Sequence, residues 1–215
     1  MRKPVIFLLL GILLFSMGYS ENLIAIKAKQ IVTVSGKSII DGTLLIKGDK
    51  IEKLGKNLLI PENYKVYHFP EGYIYPGIIN LMTPIGLTGI SRVREWHDYQ
   101  ETGKYKPQIS AFTAFYPWVN LIPITRSFGT LVVLTALSGG IISGKATLVN
   151  LDGWTPNKMF IKKEAALIVR LPESSSRRGQ EKSKKTDFSK DKKELKDFVK
   201  RAYQYYLRSA KGKKN

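Results

Sequence analysis

The sequence predicts an α/β chain led by a small β domain, on three observations. Residues 23–66 fall into short apolar and β-branched runs parted by Gly36-Lys37 and Gly48-Asp49-Lys50, the pattern of a small antiparallel sheet. Pro76-Gly77 then leads into Ile78-Ile79, a turn feeding a short apolar strand of the kind that parallel sheets bury on both faces. Beyond Pro172 the chain turns basic, and Leu195, Phe198, Val199, Ala202, Tyr203 and Tyr206 recur at spacings of three and four, which is one face of a helix. A length of 215 residues fits one or two domains. The 43% hydrophobic and 11% aromatic content is enough for a core and excludes global disorder.

In chain order, Arg2 and Lys3 precede an apolar run of 11 residues at 5–15, and Gly18 and Ser20 stand at −3 and −1 of a cleavage site. That is the pattern of a secretory signal peptide over residues 1–20, since the run falls well short of the ~20 residues that span a bilayer. Export, to the periplasm or out of the cell, with cleavage near Ser20, is the expectation; a retained anchor is the other reading. A β domain follows over residues 21–75, with strands at 23–34, 38–47 and 51–54, a hairpin turn on Gly48 and Asp49, and Leu44, Ile46 and Ile51 facing inward.

Residues 76–172 form a second region. After its apolar strand, residues 83–116 lack a clear period and read as a long loop carrying Trp96, Tyr99, Tyr105 and Phe112; loops of that length are functional or wrap a partner. Residues 119–128 read as a helix interrupted by Pro123 and stopped before Gly129, residues 130–134 and 146–151 as strands, and Ala165 to Val169 as a buried element. In the last region, 173–215, residues 174–215 hold 15 Lys and Arg against 5 Asp and Glu and so carry +10 of the chain's +18. A flexible basic linker to residue 185 precedes a helix at 188–207.

The chain has no Cys, which excludes disulfides, Cys-ligated metals and thiol catalysis. Chemistry is left to carboxylates, hydroxyls, lysines and the two histidines. His68 lies in a strand-like run and reads as a packing residue, whereas His97 has Glu95 and Asp98 beside it, a set able to hold a divalent cation loosely. The stretch from Gly139 to Gly144-Lys145 nearly spells a phosphate-cradling loop, but Ala146 replaces the hydroxyl that would hold magnesium and a strand-like run follows, so it reads as a glycine-rich turn. Gly77 and Gly144 read as serving backbone geometry, Trp118 and Trp154 as packing residues, and Lys145 and Lys162 as solvated. The basic tail suits weak contact with an anionic envelope surface, and no nucleic-acid partner is expected of an exported chain.

Residues 41–51, Asp-Gly-Thr-Leu-Leu-Ile-Lys-Gly-Asp-Lys-Ile, and Pro76-Gly77-Ile78-Ile79-Asn80, with looser matches at Phe128-Gly129-Thr130 and at residues 140–146, resemble the amidohydrolase superfamily, in particular its imidazolonepropionase-like secreted branches. The resemblance covers most of residues 23–172 and implies a urease-like β-sandwich portion joined to the first strands of an incomplete (β/α)8 barrel. In full-length relatives zinc or another divalent metal activates a hydroxide that cleaves C–N bonds. The family's first metal station, a His-x-His pair after the Pro-Gly strand, falls here on Met82 and Pro84, with Asn80 where an aspartate is usual; neither a thioether nor a proline suits such a cation. The resemblance therefore implies no catalytic, cofactor-binding or metal-ligating residue in this chain and no activity from it alone. Three readings stay open: a half-protein completed by a second polypeptide or by another copy of itself, a non-catalytic binding or scaffold module of the envelope, and an interrupted fragment.

Overall fold

A computed structural model describes residues 22–89, 93, 96–171 and 188–212. The signal-like segment, the basic linker and Glu95 lie outside the described residues. The chain divides into two compact units, with the division between Pro76 and Gly77.

The first unit is one four-stranded sheet in the order β3-β2-β1-β4, from β1 (Leu23–Ile31), β2 (Ile39–Lys47), β3 (Lys50–Lys56) and β4 (Lys65–Ile74). The β2–β3 hairpin turns where expected, at Gly48, whose φ of 62° suits a residue without a Cβ. Ala25, Ala28, Ile31, Leu44 and Leu45 are buried. Two expectations are corrected. The sheet is mixed rather than antiparallel, because β4 returns to pair in parallel with β1, Ile26 opposite Tyr67. Ile51 is 67% exposed, since β3 is an edge strand whose residues are nearly all open to solvent.

The second unit holds the sheet β5-β6-β7-β8, from β5 (Ile78–Thr83), β6 (Thr130–Thr135), β7 (Ile142–Asn150) and β8 (Phe160–Val169). Its helices are α1 (Ala111–Ala114), α2 (Leu121–Ser127), α3 (Pro156–Met159) and α4 (Phe188–Gly212). β5 and β6 run parallel across a long crossover, but β6, β7 and β8 are antiparallel neighbours. The expected run of parallel barrel strands thus stops after one pair. Pro123 does not interrupt α2: it sits in the first turn, where its missing N–H has no helical partner to lose. The helix ends at Gly129, with a left-handed φ of 87°. Its Ile122 packs with Phe115, Val119, Val133, Val149, Leu151 and Met159 into the main core cluster.

Residues 96–110 of the connection between β5 and β6 are tied down by isolated bridges. Gln100 pairs with Ser138, Tyr105 with Ile142 and Ser110 with Lys145, so this connection runs beside the beginning of β7. β5 and β8 are edge strands and largely exposed, against the expectation of burial. Ile78, Ile79, Leu81 and Met82 are each more than half exposed, and of Ala165 to Val169 only Ile168 is buried. The two edges differ in chemistry: β8 carries Lys162, Lys163 and Glu164, whereas no residue of β5 is charged. Charge on an exposed edge discourages pairing with another strand, and β5 lacks that protection.

Candidate functional site

The resemblance directs attention to the C-terminal end of β5. There the ladder to β6 slips between Leu81 and Thr83, and Met82 takes a left-handed φ of 62°, unusual for a residue with a Cβ. Thr83 is buried, and its Oγ1 accepts a hydrogen bond from the Ile85 amide at 3.3 Å. Asn80, Met82 and Pro84 are all exposed, offering one amide, one thioether and no side-chain donor respectively. This donor set does not fit a divalent cation. His68 is exposed on β4 of the first unit rather than packed, whereas His97 stands in the 84–110 connection, its ring 5.5 Å from that of Tyr99. Among the described residues no group of three or more His, Asp or Glu could hold a metal ion.

Immediately after β5 the chain builds a cleft of about 560 Å³. Gly86 turns with a φ of 85° directly against the Phe115 ring: a Cβ there would lie 2.2 Å from Cε2. Gly89 meets Trp96 as closely, since its Cβ would stand 1.8 Å from the indole. Two glycines three residues apart thus admit two aromatic rings against the backbone. Trp96 and Tyr116 pack edge to face, with centroids 6.3 Å apart and planes at 84°, and Trp118 continues the row 5.2 Å from Tyr116. Asp98 also lines the cleft; its amide donates to the Leu87 carbonyl at 2.9 Å. The Thr88 hydroxyl, on the same lining, is buried with no hydrogen-bond partner among the described residues. Trp118 and Trp154 are 53% and 78% exposed, so they are not the packing residues expected; both line a neighbouring cleft beside the 2.6 Å Arg126–Asp152 ion pair.

The glycine-rich turn carries no anion cradle. A Cβ on Gly140 would lie 2.7 Å from the Gly103 carbonyl, and one on Gly144, 2.8 Å from that of Ile109, so these glycines let the 84–110 connection approach. Gly77 likewise admits the Leu131 side chain. Lys145 pairs with Glu164 at 2.9 Å, and Lys162 is exposed. The same connection receives α4. Lys104 Nζ donates to Asp191 at 2.5 Å and to Glu194 at 2.6 Å, and these two bonds hold its pKa far above the ordinary lysine value. Tyr105 stacks on Phe198 at 4.9 Å and 14°, and burial, followed by the Glu194 charge, pushes its phenol pKa up.

The chain's fold is similar to part of a solved amidohydrolase. The chain is similar to the crystal structure of an amidohydrolase from Thermotoga maritima MSB8, with a TM-score of 0.75 and 19% identity over 89% of this chain. It spans about half of that structure's length, 50%. A. niger ochratoxinase aligns over 33% of this chain and 17% of its own, with a TM-score of 0.29 and 18% identity. No family model and no curated protein sequence matches the chain.

Proposed function

We propose that this chain is an exported, amidohydrolase-like polypeptide, the N-terminal part of a C–N-bond hydrolase, that is inactive alone and works with a second polypeptide covering β5. The supporting observation is that strand: four of its six residues are large apolar side chains more than half exposed, on an uncharged sheet edge. Exposed apolar edges of this kind associate. The donor-poor end of the same strand supports inactivity, and the charged and apolar pattern of residues 1–20 supports export. A binding module of the envelope is the second reading, favoured by the aromatic cleft; metal-dependent amidase activity from the purified chain would count against both.

The test is affinity capture of the tagged full chain from its native host, with intact-mass analysis of what accompanies it, repeated with Ile79→Lys. The expected result is a stoichiometric partner rich in His and Asp that the Ile79→Lys variant loses. A bait recovered alone, monomeric and silent towards a hydrophobic-surface dye would overturn the proposal.

A further inference from the structure

We infer that α4 docks on the surface of a bilayer containing anionic phospholipid, lying in the headgroup layer with one row of lysine, tyrosine and aliphatic side chains turned into it. This gives the anionic surface expected of the basic tail a defined chemistry. It concerns a different element from β5 and holds whether or not that edge finds a partner. One row of α4, Asp191, Glu194 and Phe198, meets Lys104 and Tyr105 of its own unit. A second row, Lys196, Val199, Lys200, Tyr203, Tyr206 and Leu207, recurs at intervals of three and four and lies roughly a quarter turn from the first. All six are exposed, Tyr203 by 61% and Tyr206 by 65%.

Charge selects the sign of the partner. α4 carries eight Lys and Arg against three acids, Asp191, Glu194 and Asp197. The first two are engaged by Lys104, and no acid falls in the second row. The sequence on either side, residues 172–187 and 213–215, lies outside the described residues and holds seven Lys and Arg against three Asp and Glu, so it reinforces that sign. The mixture of side chains selects lipid among anionic partners. An apolar protein surface laid over this row would bury the Lys196 and Lys200 ammonium groups without counter-charge, at high cost. A headgroup layer accepts them, because the stems stay with the apolar boundary while the ammonium groups reach phosphate. Tyrosine suits the same depth, its ring apolar and its hydroxyl wet. A nucleic acid answers the charge but gives Val199 and Leu207 nothing to bury against. Among the described residues no helix is long and apolar enough to cross a membrane, which leaves α4 the interface plane.

The test mixes the full chain with vesicles of phosphatidylcholine alone and with vesicles in which about 30% of the lipid is phosphatidylglycerol, reading the bound fraction by flotation. The apolar run at residues 5–15 is offered to both, so the measured quantity is the ratio of the two affinities. The expected ratio is about tenfold or more in favour of the anionic vesicles, falling towards one in about 1 M salt. Lys196→Gln with Lys200→Gln should weaken binding to the anionic vesicles about tenfold or more. Lys50→Gln with Lys53→Gln, which removes the same charge from exposed positions on β3, should change it by less than about twofold. Tyr203→Ser with Tyr206→Ser should weaken it about fivefold or more. An unaltered helix signal in circular dichroism establishes that the variants fold. No preference for the anionic vesicles, equal effects of the two lysine pairs, tyrosine substitutions without effect, or capture of soluble polyphosphate but not of vesicles would each overturn the assignment.

Discussion

Replacing Leu151 by Ala should destabilise the second unit more than any comparable change on its sheet edges. Leu151 is fully buried just after β7, among Val133, Val149 and Met159. Its amide donates to the Leu131 carbonyl at 2.8 Å, and its carbonyl accepts from Arg126 at 3.2 Å. With the backbone pinned on both sides, the walls cannot close fully on the space left behind, so the cost falls in the upper part of the range for such truncations, about 3–5 kcal/mol. At roughly 2 kcal/mol per molar urea for a unit of this size, the midpoint falls by about 1.5–2.5 M. All three tryptophans, Trp96, Trp118 and Trp154, belong to the second unit, so their fluorescence follows its unfolding specifically. Ile161→Ala on β8, where the side chain is 55% exposed, is the control and should move the midpoint by less than about 0.5 M. If Leu151→Ala moves it no further than that control does, the cluster is not the core described.

Two further outcomes follow from backbone and charge. Gly86→Ala adds left-handed strain of about 1–2 kcal/mol to displacement of the Phe115 ring, whereas Gly129→Ala, with a φ of 87° and nothing within 4 Å of its Cβ, adds the strain alone; equal urea shifts would refute the packing argument. In alkaline solution Tyr105 and Lys104 hold their protons above the ordinary values of 10.0 and 10.5, so the unfolded chain releases protons first and stability falls as pH rises past about 10; ultraviolet titration should show one late-ionising tyrosine that Tyr105→Phe removes, and a titration identical in the two proteins would refute it.

Local signals carried much of this fold. Gly48-Asp49 placed the hairpin, Gly129 placed the end of α2, and the three-and-four spacing from Leu195 to Tyr206 placed α4. What escaped was non-local. The parallel return of β4 onto β1 depends on a partner some forty residues away, and nothing in either run specifies direction. The hydrophobicity of Ile78-Ile79 records a preference for burial without stating that anything in the same chain meets it. Residues 96–110 show no period because their order comes from bridges to residues 138–145, not from an internal repeat. The cleft was half legible: Trp96 and Asp98 stood out, but Tyr116 and the buried Thr88 did not. The available signal was the pair Gly86 and Gly89, three residues apart ahead of an aromatic-rich stretch, and its meaning lies in which rings fold back against it.

The attachment of α4 gives it a life partly separate from the sheet. Among the described contacts, Asp191, Glu194 and Phe198 all meet two consecutive residues, Lys104 and Tyr105, while Val199, Tyr203, Tyr205 and Tyr206 further along stand in solvent. An element fastened over so short a span opens as a cooperative unit of its own, with a free energy set by that fastening and not by the core around Leu151. Its amides should therefore exchange with solvent hydrogen long before those of β7, and proteases that cut after lysine should find it while the sheet remains folded. Chemistry at Lys104 and Tyr105 thus bears on whether a strongly basic, tyrosine-bearing helix lies against the sheet unit or stands away from it.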